Sequence, residues 1–328
     1  MKKVISLFLI VLFATLSINA ADKKVTLKLG LEHEGTHPYG QAMDHFAKLA
    51  KDKSGGTLEI QIFPSSQLGN ATEMVEGLQI GSIDMVLTAV GYYKSLFKAL
   101  DLLNVPFLIT SEKQFEKVMA GKVGQTLNNK LDNNGIINLG YYWGGARHFT
   151  NNRSPINSVA DFKNLKIRSI PSKPVILAFT AFGAQPVTIG FSELYGALQT
   201  GIVDAQDNPL AQIYSSAFYE VQKYLSLSSY IVTALNLTIS KRAINKLSTT
   251  QQKAIKEAAL ETIEWNSKNI AKEESLLIKK LEDGGMKVNT VQDLKSFQVI
   301  VEGLYDQIKV MIDSPDSDWV IQECVAAR

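Results

Sequence analysis

The sequence is poor in cysteine, in net charge and in long apolar runs. A single cysteine, Cys324, occurs among 328 residues, so no disulfide can form within the chain. The 34 basic and 32 acidic residues nearly cancel, and no basic run has the pattern of a nucleic-acid-binding surface. Beyond residue 20 no uninterrupted apolar stretch has the length of a membrane span. Any selectivity for charge must therefore be local.

The one long apolar stretch lies at the N-terminus. Lys2 and Lys3 precede thirteen almost entirely apolar residues, Val4 to Leu16, and a short segment that ends at Ala20 follows. At about 1.5 Å per residue the stretch reaches about 20 Å, short of a bilayer core of about 30 Å. We expect residues 1–20 to be a cleaved signal peptide that exports the protein to the periplasm, with an uncleaved anchor as the alternative. Cleavage leaves 32 basic and 32 acidic residues.

Short β-rich segments alternate with apolar-periodic helices along the remaining chain. This alternation predicts an α/β fold with largely parallel sheets. The predicted strands are Val25–Leu31, Thr57–Phe63, Ile83–Thr88, Ile136–Tyr142, Leu165–Ile170, Gln185–Ile189 and Tyr230–Ser240, and the predicted helices include Tyr39–Lys53, Glu112–Asn133 and Lys173–Phe182.

One further helix is predicted from Thr249 to Asp283. Ser248 and Gln251 form a capping-box pattern at its start, and Gly284 follows its end. At about 1.5 Å per residue such a helix is about 52 Å long, more than a small domain measures. We therefore expect it to lie along two domains.

Arg168 is the strongest candidate for a ligand contact. Alternation within the strand puts Lys166 and Arg168 on one face, and the arginine lies near the carboxyl end, where open α/β sheets bind ligands. A buried guanidinium is costly without an anion, and its planar fork matches a carboxylate. The alternative is an internal ion pair with Asp161, Glu193 or Asp204.

The segment His33-Glu34-Gly35-Thr36-His37 fits the H-E-x-x-H pattern of zinc proteases. That chemistry needs both histidines on one helical face. Here the motif directly follows a predicted strand, contains Gly35, and precedes Pro38, which disfavours helical geometry at His37. A secreted zinc hydrolase is thus a minor alternative, and we expect no metal, no cofactor and no catalytic residue.

Three segments together carry a family resemblance. They are FSELYGALQTGIVDAQDNP at 191–209, FKNLKIRSIPS at 162–172 and GGARHFTN at 144–151. The chain closely resembles the DctP-type solute-binding proteins of TRAP transporters. The resemblance implies a two-lobed periplasmic-binding-protein-like fold with a long helix spanning both domains. It divides the chain into domain I, residues 21–144 plus 234–273, and domain II, residues 145–233 plus 274–328.

The resemblance also implies roles for individual residues. Arg168 matches the family's carboxylate clamp, Arg147 a second and more variable cation, Asn208 a ligand-bonding amide and Phe191 a ring over the ligand. Trp143, Glu32 and Thr88 are weaker candidates, each at or just past a predicted strand end on the other side of the cleft. The chain departs from the family at four positions: Leu31, Ala205, Asp207 and Tyr230.

The function implied is capture of a small organic acid between the lobes. The loaded protein would deliver it to a membrane permease made of a small and a large integral subunit and driven by an ion gradient. A sensor subunit that presents its ligand to a receptor would have the same fold. The residues leave open whether the acid is a dicarboxylate, a hydroxy or keto acid or a sugar acid, and whether the protein is a monomer or a dimer.

Overall fold

The computed structural model describes residues 22–328, so the predicted signal peptide at 1–20 lies outside the described residues. The strands within this range are β1 Val25–Leu31, β2 Leu58–Phe63, β3 Met85–Ala89, β4 Ile136–Asn151, β5 Lys166–Ser169, β6 Gln185–Thr188, β7 Ala205–Pro209, β8 Tyr224–Leu227, β9 Val232–Ser240 and β10 Lys287–Thr290.

The α-helices of the described range alternate with these strands. They are α1 Pro38–Lys53, α2 Ala71–Ile80, α3 Glu112–Ala120, α4 Lys122–Asn133, α5 Lys173–Ala181, α6 Leu194–Gln199, α7 Leu210–Ser215, α8 Lys241–Ile244, α9 Thr249–Asp283, α10 Leu294–Gly303, α11 Tyr305–Ile312 and α12 Ser317–Ala326. Short 3-10 segments include Lys98–Asn104 and Phe191–Glu193. The predicted α/β class is confirmed.

The strands form one mixed sheet in the order β2-β1-β3-β9-β4-β7-β5-β6, with β8 paired to β4 and β10 paired to β8. The prediction of largely parallel sheets was only partly right. The outer strands pair in parallel, β1 with β2 and β3, and β5 with β6 and β7. The two long central strands, β4 and β9, pair antiparallel with their neighbours. Neither lies beside the strand that precedes or follows it in the chain, so no helical crossover fixes a parallel pairing for them.

Strand β4 joins the two halves of the sheet. Its first part, Ile136 to Ala146, pairs with β9, and its last part, Arg147 to Asn151, pairs with β7. The pairing with β9 shifts between Trp143 and Ala146, where Gly145 has a φ of 91° that suits glycine. A Cβ on Gly144 would lie 2.7 Å from the Thr233 carbonyl oxygen. The glycine pair therefore lets the strand bend between its two partners.

Helix α9 runs from Thr249 to Asp283, as predicted from its capping box. Its first half packs Ile255 and Ala259 into the core beneath β1, β3 and β9. Its second half packs Leu277 and Leu281 into a different core, with α6, α7 and β8. One helix thus lies along two apolar cores, in keeping with the two domains expected. The domain boundaries themselves stay a prediction.

Several predicted elements differ from the structure. The helix predicted over Glu112–Asn133 is two helices, because the backbone is extended at Gly121. Helix α12 packs against α3 and α4, so the C-terminal residues assigned to domain II contact domain I.

In residues 22–328 no helix combines the length and the apolar character needed to cross a membrane.

The start of α9 supports a stability prediction. The Ser248 hydroxyl accepts from the Gln251 N–H at 3.1 Å, and the Gln251 side chain accepts from the Ser248 N–H at 3.1 Å. Loss of such a cap costs about 1 kcal/mol. We expect Ser248→Ala to lower the melting temperature by about 2 °C in thermal unfolding. Thr250→Ala, which removes an exposed hydroxyl one residue inside the helix, is the control and should change it less. Equal losses from the two variants would contradict the role of the cap.

Candidate functional site

A cavity opens where the ends of several strands converge near the bend in β4. Its lining comes from both sides of that bend: the residues after β1 and β3, the 3-10 segment Lys98–Asn104, and the ends of β5 and β7 with the start of β9. Five of the predicted site residues line it, namely Glu32, Arg147, Arg168, Phe191 and Asn208. Residues contributed by distant parts of the chain thus meet at one place.

Arg168 is the most deeply buried charged residue of the cavity, with 1% of its surface exposed. Its Nε donates to the Ile189 carbonyl oxygen at 3.0 Å, while the Nη1 and Nη2 groups make no hydrogen bond within residues 22–328. In the same range it forms no ion pair with Asp161, Glu193 or Asp204. Burial, and then the neighbouring charge of Arg147, lower the pKa of Arg168. An arginine nevertheless keeps its charge in proteins.

Arg147 lies within β4, beyond the predicted strand end at Tyr142, because the strand continues to Asn151 where it pairs with β7. Its Nε donates to Asp207 Oδ2 at 2.5 Å, its Nη2 to the Asp207 carbonyl oxygen at 2.5 Å and its Nη1 to Thr233 at 3.4 Å. Each nitrogen of this guanidinium therefore has an acceptor within the protein.

Asp207 is the counterion of Arg147 and is 1% exposed. The Tyr230 hydroxyl also donates to its Oδ2, at 2.7 Å. Burial acts to raise the pKa of Asp207, but the charge and hydrogen bond of Arg147 outweigh it and hold the pKa below its usual value. The same carboxylate helps to raise the pKa of Arg147 against its own burial. The pair therefore stays ionised and nearly neutral as a unit.

Asn208 and Phe191 also line the cavity. The Asn208 amide nitrogen donates to Gln206 Oε1 at 2.5 Å, which fixes the orientation of an amide that lines the cavity. Phe191 is half-buried, with ring centroids 5.0 Å from His33 and 6.2 Å from Phe218. The ring is held at the cavity edge by these aromatic contacts.

The two histidines of the H-E-x-x-H pattern are used for other purposes. His37 is the N-cap of α1, and its Nδ1 accepts from the Tyr39 N–H at 3.0 Å. His33 lines the cavity, and its Nε2 lies 2.5 Å from the Gln212 amide nitrogen. Burial and the charge of Arg147 lower the pKa of His33 to about 3, so its ring is neutral. Among the described residues no group of three or more potential ligands could hold a metal ion.

Two carboxyl groups line the cavity apart from the Arg147 pair. Burial raises the pKa of Glu32, although a hydrogen bond from the Ala71 N–H and the charge of Arg168 act in the opposite direction. Asp101 is 3% exposed and accepts from Asn104 Nδ2 at 3.1 Å and from the Lys173 N–H at 3.0 Å. It thereby caps the start of α5, whose own N-cap residue, Ser172, makes no side-chain hydrogen bond there.

The structure does not bring Thr88 and Trp143 to this cavity. Thr88 is buried within β3, opposite Asn236 of β9. Trp143 packs against Phe115, with ring centroids 6.1 Å apart, on the far side of the bend in β4. The Thr88 hydroxyl is buried without a hydrogen-bond partner in the described part of the chain, and Trp143 packs against both large apolar cores.

Sequence reasoning missed His33, Asp101 and Gln212 as lining residues. His33 has a sequence signal, because it directly follows Glu32 just after β1, but the H-E-x-x-H pattern that contains it indicates zinc chemistry instead. Asp101 lies in a 3-10 segment and Gln212 in the short helix α7. No periodicity or motif marks either residue, and only the folded topology brings them to the cavity.

Comparison with known proteins gives one consistent family assignment. Residues 29–310 match the family described as bacterial extracellular solute-binding protein, family 7, or DctP. The 2,3-diketo-L-gulonate-binding periplasmic protein YiaO of Escherichia coli is 34% identical over 299 residues, 91% of this chain and 89% of that protein.

Solved structures agree with the sequence match. A TRAP periplasmic solute-binding protein from Polaromonas, bound to D-erythronate, has a TM-score of 0.86 at 32% identity, over 92% of this chain and 99% of that one. The sugar acid binding protein DctPAm of Advenella mimigardefordensis, in complex with galactonate, has a TM-score of 0.88 at 28% identity, over 93% of this chain and 100% of that one. The chain belongs to the DctP family of bacterial extracellular solute-binding proteins, which are the binding components of TRAP transporters and not enzymes.

Proposed function

We propose that this protein captures a small organic carboxylate in the cavity, with Arg168 as the clamp. The observation that carries the proposal is the state of the Arg168 guanidinium. It is almost fully buried, it forms no ion pair within residues 22–328, and only its Nε makes a hydrogen bond there. Burying a charge is costly unless an opposite charge meets it. A carboxylate that accepts from Nη1 and Nη2 supplies that charge with bidentate geometry.

The remaining lining suits a small polar ligand. Asn208 offers an amide that can donate to a carboxylate and accept from a hydroxyl, and Phe191 offers a ring face. Relatives of this chain are named for such acids, including 2,3-diketo-L-gulonate, D-erythronate and galactonate. The ligand of this protein is accordingly proposed to be an organic acid of similar size.

The cellular role follows from the same family. We expect residues 1–20 to direct export to the periplasm, where the ligand-bound protein would dock on the small and large membrane subunits of a TRAP permease driven by an ion gradient. Uptake of radiolabelled acid by vesicles that contain those subunits should require this protein. Uptake that proceeds equally without it would contradict the delivery role.

Arg168→Ala should abolish the clamp without harming the fold. We expect the dissociation constant to rise about 100-fold or more, since a desolvated charged contact contributes about 2–5 kcal/mol. The ligand to use is the acid that most raises the melting temperature in a panel of aldonates, dicarboxylates and keto acids, and the measurement is isothermal titration calorimetry.

Lys166→Ala is the matched control, because Lys166 is an exposed cation two residues earlier in the same strand. It should leave the affinity unchanged. The ligand-free Arg168→Ala protein should be no less stable than wild type, because the variant removes an unpaired buried charge. Unchanged affinity in Arg168→Ala would show that the carboxylate binds elsewhere.

Unlike Arg168, Arg147 should stabilise the fold, because its charge is already paired with Asp207. Arg147→Met leaves the Asp207 carboxylate buried without its counterion, and we expect a loss of about 3–5 kcal/mol of unfolding free energy in urea denaturation. The paired change Arg147→Met with Asp207→Leu should restore much of that loss. If Arg147→Met alone were as stable as wild type, the ion pair would not be the main role of Arg147.

A further inference from the structure

Within residues 22–328 the cavity offers one cation that is free to bind a ligand. Arg168 has unengaged Nη groups, whereas every nitrogen of Arg147 has an acceptor and its charge is balanced by Asp207. His33 is neutral because of burial and the charge of Arg147. A second cationic clamp, as a dicarboxylate would need, is therefore not available from Arg147 or His33.

Lys94 is the remaining cation of the lining, and it is already engaged. Its Nζ donates to the Pro171 carbonyl oxygen at the cavity edge, so a ligand would have to compete with that contact. Lys94 also shares the lining with Asp101, whose negative charge offsets it. It is a weaker anion site than Arg168, because it is half-exposed and more screened.

The fixed negative charges of the cavity match its positive ones. The positive residues are Lys94, Arg147 and Arg168, and the negative ones are Glu32, Asp101 and, behind Arg147, Asp207. With Glu32 ionised, a state that its burial disfavours and the charge of Arg168 favours, the three charges of each sign give a neutral site before any ligand enters. One carboxylate meets the unpaired Arg168, but a second would add a negative charge beside Glu32 or Asp101. Like charges at close range in a partly buried site repel strongly.

The same acidic residues are good partners for hydroxyl groups. An ionised carboxylate is an acceptor only, and a ligand hydroxyl can donate to it. Asp101 is held in place by Asn104 and by the Lys173 N–H, so its oxygens are oriented before a ligand arrives. Ser172 Oγ and Gln212 Oε1 are buried in the lining without a partner in the described part of the chain. The walls around Arg168 are thus built from groups that pair with hydroxyls.

We propose that the cavity selects acids that have one carboxylate and a hydroxyl-bearing chain, and that Glu32 and Asp101 reject a second carboxylate. This rests on the proposed function, because Arg168 must hold the first carboxylate. It narrows the open choice between dicarboxylates and hydroxylated acids to the second class.

The test compares acids of equal length that differ in one group. D-gluconate and D-glucarate form a six-carbon pair with one and two carboxylates, and L-threonate and L-tartrate form a four-carbon pair. Hexanoate and butyrate carry one carboxylate and no hydroxyl. Calorimetric titrations would use the full protein after unfolding and refolding to remove carried-over ligand.

The comparison uses whichever of the six-carbon and four-carbon sets binds more tightly. Within that set, we expect the dicarboxylate to bind at least about tenfold more weakly than the hydroxy monocarboxylate, a difference of about 1.4 kcal/mol. The hydroxyl-free acid should be at least as weak. Equal or tighter binding of the dicarboxylate would overturn the inference while leaving the proposed function intact. Equal binding of the hydroxyl-free acid would overturn the role of the hydroxyls. If no acid of either length bound, the proposed function itself would fail.

Variants assign the rejection to its residues. Asp101→Asn and Glu32→Gln remove a negative charge and keep the side-chain shape nearly constant. Each should reduce the preference for the hydroxy monocarboxylate over the dicarboxylate several-fold. Asp283→Asn, at the exposed end of α9, is the control and should leave the ratio unchanged. Because Asp101 caps α5, thermal unfolding checks that its variant is folded, and Glu32→Gln tests the same point independently.

A last variant tests the competing role of Lys94. If Lys94 held a second carboxylate, Lys94→Met would weaken the dicarboxylate more than the monocarboxylate, and that result would overturn the inference. We expect no such change: the Lys94 Nζ is already engaged by the Pro171 carbonyl oxygen, so the ratio between the two affinities should stay the same.

Discussion

The site depends on a difference between two neighbouring buried arginines: within residues 22–328, Arg147 is paired with a carboxylate and Arg168 is not. Asp207 pairs with Arg147 and also accepts a hydrogen bond from Tyr230. Among residues 22–328, Arg168, two strands away in the sheet, donates only to the Ile189 carbonyl oxygen. Burial, and then repulsion by Arg147, lower the pKa of Arg168, so an unpaired Arg147 beside it would make the site still more costly. The ion pair therefore makes it possible to keep one guanidinium buried, charged and free. Under the proposed function, a ligand carboxylate supplies the negative charge that Arg168 lacks.

Two long elements bring these charges together. Strand β4 carries Arg147 just after its bend, where the pairing passes from β9 to β7, and β7 carries Asp207 opposite it. Helix α9 packs along both cores and so holds the two halves of the sheet together. Because the cavity lies at the bend, a change in the angle between the halves would alter the distance between Arg168 and the walls that face it. Closure on a ligand of this kind is a common hinge motion.

Local patterns in the sequence predicted the regular elements and the buried cation. The capping box at Ser248 predicted α9 from end to end, and the alternation around Arg168 placed it in a strand near the carboxyl end. Local patterns failed where long-range pairing decides the outcome. The predicted strand ends at Tyr142, yet β4 continues to Asn151 because β7 is present to pair with it. The pairing of Arg147 with Asp207, sixty residues apart, could not be predicted for the same reason.

Under this proposal, the specificity of the site is set by Glu32 and Asp101, two acidic residues that do not bind the carboxylate of the ligand. Arg168 alone would accept any carboxylate, including each end of a dicarboxylate. Asp101 distinguishes among them because it has a structural task of its own: it caps α5 from another segment and so cannot move away from an approaching anion. A fixed acceptor of this kind favours a hydroxyl over a carboxylate without a direct clash. Discrimination by an unfavourable charge is as effective as discrimination by an added contact.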